Sequence, residues 1–287
     1  MVKNYFQPQD LEEAVRLLKR YGKRARILAG GTDLMPALKR GEVDAEYVIS
    51  INSVPGLDAL EYDEGRGLKI GARVTYSQLL SSTTVREQYP ILVEAAQQVG
   101  GVQVRNLATI AGNLCHAAPS ADMAPPLLVL AARAEIIGPG GSRSLDLEEF
   151  FRGPNRSALK TREMLAGLVV PALDGAWGAS YLKLGQRSAM EIALVGVAAA
   201  VKKVNGRCQE VRIALGAVAA RPIRARKAEE SLAGKELTAE VIAQAANLAA
   251  RSARPISDVR CSARYRREMV MVLTRRALAR AWERASS

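Results

Sequence analysis

Two glycine-containing segments of the sequence carry residue types that suit phosphate binding. The first is Ala-Gly-Gly-Thr-Asp-Leu at 29–34, and the second is Thr-Ile-Ala-Gly-Asn-Leu at 109–114. Each adjoins apolar residues typical of a strand end and runs into a helical pattern, so its backbone N–H groups can face an anion. Glycine leaves those groups uncovered, and Thr32 and Thr109 can add hydroxyl donors. One such segment is usually only a turn. Two together suit a pyrophosphate.

The elements that must position these segments fall into three parts, which we expect at 1–55, 56–175 and 176–287. In the first part, Asp10 is expected to cap a helix that ends at Gly22. A strand at 25–29, the first glycine segment, a helix over 33–40 and a strand at 46–51 then make a small β-α-β-like unit.

The second and third parts combine the two periodicities in an α+β pattern. In the second part we expect strands at 67–72, 134–138 and 165–170, a helix begun by Thr75, and helices at 89–99 and 122–132. In the third, a strand at 180–184 precedes a hairpin of strands 192–203 and 208–217, because Asn205-Gly206 accepts positive φ at both turn positions. Helices near 223–233, 238–253 and 262–284 close the chain.

Composition narrows the class of protein. With 287 residues, 48% hydrophobic and 24% charged, the chain can bury a sizeable core. It has no apolar run of the roughly 20 residues that span a bilayer and no apolar signal core at its start, so we expect a cytoplasmic protein. Three scattered cysteines and one histidine provide no metal site. An iron–sulfur cluster needs about four thiolates, which this chain alone lacks.

The formal net charge of +12 permits more than one interpretation. Basic stretches at 221–227 and 264–267 could contact nucleic acid, but no nucleic-acid motif is present and aromatic residues make up only 5%. Solvated helix faces, or docking to more acidic partner subunits, account for the charge at least as well. We therefore expect no nucleic-acid function.

The two segments, read with their flanks, resemble a known family. These flanks are Ile-Leu-Ala-Gly-Gly-Thr-Asp-Leu-Met-Pro-Ala-Leu-Lys-Arg-Gly at 27–41, Val-Arg-Asn-Leu-Ala at 104–108 and Cys-His-Ala-Ala-Pro-Ser-Ala-Asp-Met-Ala-Pro-Pro-Leu-Leu at 115–128. Over essentially the whole chain they are similar to the flavin subunit of the xanthine dehydrogenase and carbon monoxide dehydrogenase family of molybdenum hydroxylases. The resemblance implies a two-part FAD-binding domain of the vanillyl-alcohol-oxidase/PCMH type, followed by a C-terminal three-stranded sheet with a helical bundle.

The resemblance also implies a function. The chain would bind FAD and pass electrons from an iron–sulfur small subunit to an external acceptor, while a molybdopterin-binding large subunit oxidises the substrate, in a dimer of heterotrimers. On the residues alone, two alternatives remain open: a free-standing FAD-dependent oxidoreductase, and a nucleotide-binding protein without redox activity.

The cofactor-binding residues that the resemblance implies cluster in the two segments and at three later positions. They are Ile27, Leu28, Ala29, Gly30, Gly31, Thr32, Asp33, Leu34, Thr109, Ala111, Gly112, Asn113, Asp122, Leu165 and Lys183. The family more often has a glycine where this chain has Ala111, which puts a glycine-only backbone angle there in doubt.

Several of these residues have a structural alternative. Asp33 and Asp122 could simply cap the helices that follow them, Leu165 could be an ordinary buried strand residue, and Lys183 could be an exposed strand lysine. In the family the lysine approaches the flavin ring, where a cation would tune its potential.

We expect no catalytic side chain. His116 is the only histidine, but flavin reduction by an electron carrier needs no base, and Cys115 is expected to be buried rather than reactive. The segment Leu-Gly-Gln-Arg-Ser-Ala-Met-Glu at 184–191 is less acidic than that of the animal NAD-using dehydrogenases. Because Arg187 remains there, we expect a more positive local field, which favours oxygen, a quinone or a small electron carrier as the acceptor at least as well as NAD.

Overall fold

The first sheet carries the first glycine segment at the end of one of its strands. In the computed structural model, which describes residues 2–285, three parallel strands lie in the order β1-β3-β2. The elements are β1 (Asn4–Phe6), α1 (Leu11–Tyr21), β2 (Ala25–Leu28), α2 (Leu34–Lys39) and β3 (Tyr47–Ser50). The Asp10 side chain accepts from the Glu13 N–H at 2.7 Å and so caps α1, as the sequence predicts. The expected strands and α2 are present, with ends one residue shorter.

The second sheet has five antiparallel strands in the order β4-β5-β10-β6-β7. They are β4 (Leu60–Asp63), β5 (Gly67–Gly71), β6 (Arg133–Gly138), β7 (Gly141–Asp146) and β10 (Met164–Val170). A small ribbon of β8 (Phe151–Gly153) and β9 (Arg156–Ser157) lies between β7 and β10 in the chain. The strands β4 and β7 and the ribbon were not predicted, because these short segments contain no long apolar run.

Seven short helices accompany this sheet. They are α3 (Tyr76–Ser81), α4 (Thr83–Gln88), α5 (Pro90–Gln97), α6 (Val102–Leu107), α7 (Ile110–His116), α8 (Ala124–Val129) and α9 (Leu147–Phe150). Thr75 and Gln78 form a capping box at the start of α3. The helices expected at 89–99 and 122–132 are shorter than predicted. Helix α7 is the helical pattern expected at the second glycine segment, but the strand end expected before that segment is wrong, because the helix α6 lies there.

The third sheet is antiparallel, in the order β11-β12-β13-β14. Its strands are β11 (Trp177–Leu184), β12 (Val195–Val204), β13 (Arg207–Gly216) and β14 (Ile223–Arg224), and its helices are α10 (Arg226–Leu232), α11 (Ala239–Ser252) and α12 (Ala263–Arg284). Three long strands match the expected sheet, and the two-residue β14 adds a fourth at the edge. Asn205 and Gly206 both have positive φ, 49° and 73°, which confirms the predicted hairpin turn.

Strand β12 joins the two hydrophobic cores, because it is buried on both faces. Ala198 and Ala200 belong to the larger core, which includes the first two sheets. Val197 and Val201, on the opposite face, pack with α10, α11 and α12. Within residues 2–285 the helices are all too short or too polar to cross a membrane.

Candidate cofactor site

The first glycine segment offers a run of free backbone donors at the start of α2. The Met35 N–H donates to the Gly31 carbonyl at 3.0 Å, but within residues 2–285 the N–H groups of 30–33 have no acceptor. Gly31 has a φ of 72°, a backbone conformation that residues with a Cβ atom rarely adopt. Successive free N–H groups at the N-terminus of a helix form a binding site for an anion.

The second segment forms the first turn of α7 rather than an open loop. The Thr109 hydroxyl accepts from the Gly112 N–H at 3.0 Å and caps the helix. Ala111 is helical and buried, so its replacement of a glycine causes no backbone strain and the doubt about this position is removed. Its N–H has no acceptor in the described part of the chain.

The first segment contacts the residues that immediately precede the second. A Cβ atom on Gly30 would lie 1.9 Å from the carbonyl oxygen of Leu107 and 2.6 Å from its carbonyl carbon. The second segment is fixed in turn to the residues before α3, because the Ile110 N–H donates to the Val74 carbonyl at 3.2 Å and Thr75 bridges to Thr109. The free N–H groups of both segments therefore lie at one junction.

Asp122 and Lys183 form a buried ion pair, although 61 residues separate them. The ammonium of Lys183 donates to Asp122 Oδ2 at 2.8 Å, and Tyr181 donates to Asp122 Oδ1 at 2.8 Å. The two other N–H donors of Lys183 bond to the carbonyls of Gln98 at 2.9 Å and Glu191 at 2.8 Å. Only 5% of the Lys183 side chain and 11% of the Asp122 side chain are exposed. Lys183 is thus not the exposed strand lysine of the structural alternative.

The structure also decides between the two interpretations of Asp122, as a helix cap or as part of the site. The residue at the N-cap of α8 is Met123, and no side chain caps that helix, so the helix-cap interpretation of Asp122 is wrong. Burial raises the pKa of Asp122, while Lys183 and Tyr181 lower it. A buried carboxylate without partners would destabilise the fold, so the hydrogen bonds from Lys183 and Tyr181 stabilise Asp122 in this position.

Two buried polar atoms in or beside the second segment have no partner within residues 2–285. They are the hydroxyl of Tyr76, beside the second segment, and Oδ1 of Asn113, in the first turn of α7. Burial, then the nearby carboxylates of Asp122 and Asp33, raise the pKa of Tyr76 well above its usual value. A buried polar atom without a partner is costly unless a ligand or water satisfies it.

The other predicted residues lie around this junction with less specific contacts. Asp33 is at the N-cap of α2, but its side chain makes no capping hydrogen bond, so the cap interpretation does not explain it. Leu165 is 4% exposed, on β10 next to a β-bulge. Ile27 and Leu28 end β2 and pair with Ile49 and Ser50 of β3.

The sulfur and imidazole groups near α7 differ in environment. Burial raises the pKa of the Cys115 thiol to about 12, so the thiol is protonated at neutral pH. His116 is exposed at the end of α7. Neither side chain makes a hydrogen bond within the described residues that would activate it.

Arg187 is paired within the 185–191 loop. Arg187 Nε donates to Glu191 Oε2 at 2.8 Å, and Arg187 also donates to the Met190 carbonyl at 2.9 Å. The more positive local field expected for this segment stays a prediction. Three partners in the Asp122–Lys183 network, Tyr181, Gln98 and Glu191, were not predicted, because no recognisable motif marks them in the sequence.

Comparison with known proteins adds the family context. A model described as the FAD binding domain in molybdopterin dehydrogenase matches residues 1–173. A second, described as the CO dehydrogenase flavoprotein C-terminal domain, matches residues 180–281.

Relatives match over nearly their full lengths. The chain is 34% identical over 284 residues to the carbon monoxide dehydrogenase medium chain of Hydrogenophaga pseudoflava, covering 98% of each. It is 30% identical over 279 residues to the xanthine dehydrogenase FAD-binding subunit of Escherichia coli O157:H7, covering 97% of this chain and 95% of the relative. A solved structure of carbon monoxide dehydrogenase from Hydrogenophaga pseudoflava matches with a TM-score of 0.96 at 34% identity, covering 100% of this chain and 99% of that one.

Proposed function

The chain belongs to the FAD-binding medium subunits of the molybdenum hydroxylases, and from that premise we propose which of its residues hold the cofactor and which partners it serves. The observation that carries the proposal is the junction of the two glycine segments, where the N–H groups of 30–33 and of Ala111 are free. The five N–H groups without an acceptor within residues 2–285 lie at two helix N-termini and are enough for the four non-bridging oxygens of a pyrophosphate, whose negative charge suits the partial positive charge of helix N-termini.

The residues present fit FAD. Asn113 Oδ1 and the Tyr76 hydroxyl are buried and have no partner within residues 2–285, so a ligand with hydrogen-bonding groups would satisfy them. We assign Gly30, Gly31, Thr32 and Ala111 to the pyrophosphate, whereas the Gly112 N–H is already used by the Thr109 hydroxyl. Asp33 would accept a hydrogen bond from a ribityl or ribose hydroxyl, because a carboxylate beside phosphate would repel it.

The Asp122–Lys183 pair has a positioning role in this proposal. Lys183 has no N–H left for the flavin, so its influence on the cofactor is through its charge, which Asp122 largely offsets. By fixing β11 to α8 and to the residue after α5, the pair keeps the 185–191 loop and the two glycine segments in one arrangement. Leu165 would contribute an apolar surface next to the cofactor.

When bound, FAD would accept electrons and release them to an external acceptor. The chain would receive those electrons from an iron–sulfur small subunit in a complex with a molybdopterin-binding large subunit, as a dimer of heterotrimers in the cytoplasm. The relatives support a subunit role, since they are named as medium chains or FAD-binding subunits. The acceptor stays a prediction: an artificial dye should be reduced faster than NAD.

A pair of matched variants tests the site. Asn113→Ala removes the unpartnered amide oxygen, whereas Asn247→Ala changes an exposed amide on α11 that bonds only to the Ala243 carbonyl. We expect the first variant to bind FAD about tenfold more weakly, as for the loss of one buried hydrogen bond, and the second to bind as the parent chain does. Equal FAD affinity in both variants would remove Asn113 from the site.

A further inference from the structure

A basic cleft lies at the opposite end of β2 from the glycine segments. It has a volume of about 820 Å³ and is lined by residues 20–24, 138–143 and 160–163. Strand β2 begins at Ala25, next to this cleft, and ends at Leu28, before the first glycine segment. The cleft is therefore separate from the cofactor site.

The charge of the cleft is strongly unbalanced. Its lining includes six cations and one carboxylate: Arg20, Lys23, Arg24, Arg143, Lys160, Arg162 and Glu163. Glu163 is already used, since it accepts two hydrogen bonds from the Arg143 guanidinium, at 2.9 and 2.7 Å, and one from the Lys160 N–H at 2.8 Å. Arg24 forms an ion pair with Glu46, with 3.6 Å between the guanidinium nitrogen and the carboxylate oxygen, and Glu46 also pairs with Lys3. Among residues 2–285, no carboxylate lies within 4.0 Å of the charged groups of Arg20, Lys23, Lys160 or Arg162.

The floor and the sides of the cleft suit a small, highly charged ligand. Glycines 22, 138, 140 and 141 supply part of the lining, and a Cβ at Gly140 or Gly141 would meet no atom within 4 Å. The guanidinium groups of Arg20 and Arg24 lie over the rings of Tyr21 and Tyr47, each 5.3 Å from the ring centroid. Those rings stack on each other at 3.9 Å, which limits the positions of the two guanidinium groups.

The same features argue against a macromolecule. Protein interfaces rely on apolar and aromatic anchors at their centre, but none of the exposed large hydrophobic side chains lines this cleft. Single-stranded nucleic acid needs open aromatic faces, whereas Tyr21 is packed in a cluster with Phe6 and Tyr47. The volume is in the range of small-ligand sites, about 300–1,000 Å³.

We propose that this cleft binds a small anion carrying two or more phosphate groups. Arginine forks match phosphate oxygens bidentately, and lysines act as point charges beside them. A single phosphate would leave most of the unpaired cations without a partner, so an oligophosphate fits better. The shared chemistry is the phosphate chain, which could come from inorganic polyphosphate or from a nucleotide.

The experiment uses the FAD-loaded chain, so that the glycine segments are occupied and cannot take up the probe. Tripolyphosphate, ATP and orthophosphate are titrated by calorimetry at physiological ionic strength. We expect tripolyphosphate to bind at one site per chain and at least about tenfold more tightly than orthophosphate. Tighter binding of ATP than of tripolyphosphate would indicate that the cleft recognises nucleotides. Equal affinity for the two would indicate that it recognises the phosphate chain alone.

Charge-matched variants locate the site. Lys23→Gln/Lys160→Gln/Arg162→Gln should weaken tripolyphosphate binding at least about tenfold without releasing FAD. The control Arg275→Gln/Arg276→Gln/Arg280→Gln removes the same charge from the exposed side of α12 and should bind as the parent does. Equal weakening by both triple variants, no binding of tripolyphosphate, or binding of an oligo-glutamate peptide in its place would overturn the proposal.

Discussion

Replacement of Lys183 by methionine should destabilise the chain far more than an ordinary lysine replacement. The substitution removes the ammonium but keeps most of the apolar stem, and it leaves the Asp122 carboxylate buried with Tyr181 as its remaining partner. Removing one partner of a buried ion pair costs about 3–5 kcal/mol. The free energy of unfolding, from urea denaturation, should fall by about that amount.

Lys202→Met is the matched control on the neighbouring strand. Lys202 is paired with Asp174 at 2.8 Å, but 86% of the Asp174 side chain is exposed, so water can replace the lysine. Exposed pairs contribute about 0–1 kcal/mol. The Lys183→Met/Asp122→Asn double variant should be more stable than the sum of the two single losses predicts, since it leaves neither charge alone.

The pH dependence of the Lys183→Met variant gives a second readout. Burial already raises the pKa of Asp122 and Lys183 lowers it, so without Lys183 this pKa rises further. A carboxyl group with a raised pKa in the folded state favours folding below its unfolded pKa, and this contribution is lost as the pH rises through the folded pKa. The deficit should therefore be smaller near pH 5 than near pH 8. Strictly additive single losses, or a deficit equal to that of Lys202→Met at every pH, would refute a buried, coupled pair.

Three further outcomes follow from the structure. Gly30→Ala would place a methyl group 1.9 Å from the carbonyl oxygen of Leu107, so FAD affinity should fall more than about tenfold by equilibrium titration. In the control Gly65→Ala the new methyl group would lie 3.4 Å from its nearest neighbour, a side-chain atom, and FAD affinity should not change. Equal FAD affinities of the two variants would disprove the contact. Cys115, with its pKa raised to about 12, should resist iodoacetamide at pH 8 in the folded chain and react after denaturation, as mass spectrometry can show; rapid modification of the native thiol would contradict its burial. Arg266, which is 2% exposed, donates to the Leu194 carbonyl and to Asp258, and Asp258 keeps Arg260 as a second partner. Changing Arg266 to methionine should therefore lower the free energy of unfolding by about 1–3 kcal/mol, as for a buried acceptor that loses its donor, whereas the same change at the exposed Arg264 should cost less than about 1 kcal/mol. Equal losses in urea denaturation would contradict a role for these buried hydrogen bonds.

Local signals in the sequence predicted much of the fold. Asp10 caps α1, Thr75 begins α3 and Asn205-Gly206 turns the third-sheet hairpin, because each feature depends on only a few consecutive residues. Elements such as α6 and β4 escaped prediction, since α6 has no side-chain cap and β4 is a four-residue strand with acidic residues at two of its positions. The family resemblance provided the FAD-binding fold and function, and the domain matches confirm both. The exact boundaries at 55 and 175 stay predictions.

The site could be predicted only in part. The sequence located both glycine segments, but the contact of Gly30 with Leu107 and the pair of Asp122 with Lys183 join residues far apart in the chain. The ion pair of Arg187 with Glu191 was likewise not predicted, although only four residues separate them. Contacts of this kind depend on the packing of whole elements, which no local pattern contains.

Flavin selectivity of the chain stripped of cofactor is the most direct test of the central claim. The two glycine segments are needed together only if the ligand carries a pyrophosphate, and FMN has a single phosphate. Losing about two charge-assisted hydrogen bonds corresponds to roughly a hundredfold in affinity. Titration followed by flavin fluorescence should therefore show FAD binding at one site per chain and FMN binding at least about a hundredfold more weakly. Equal affinity for FAD and FMN would contradict the assignment of both segments to one pyrophosphate.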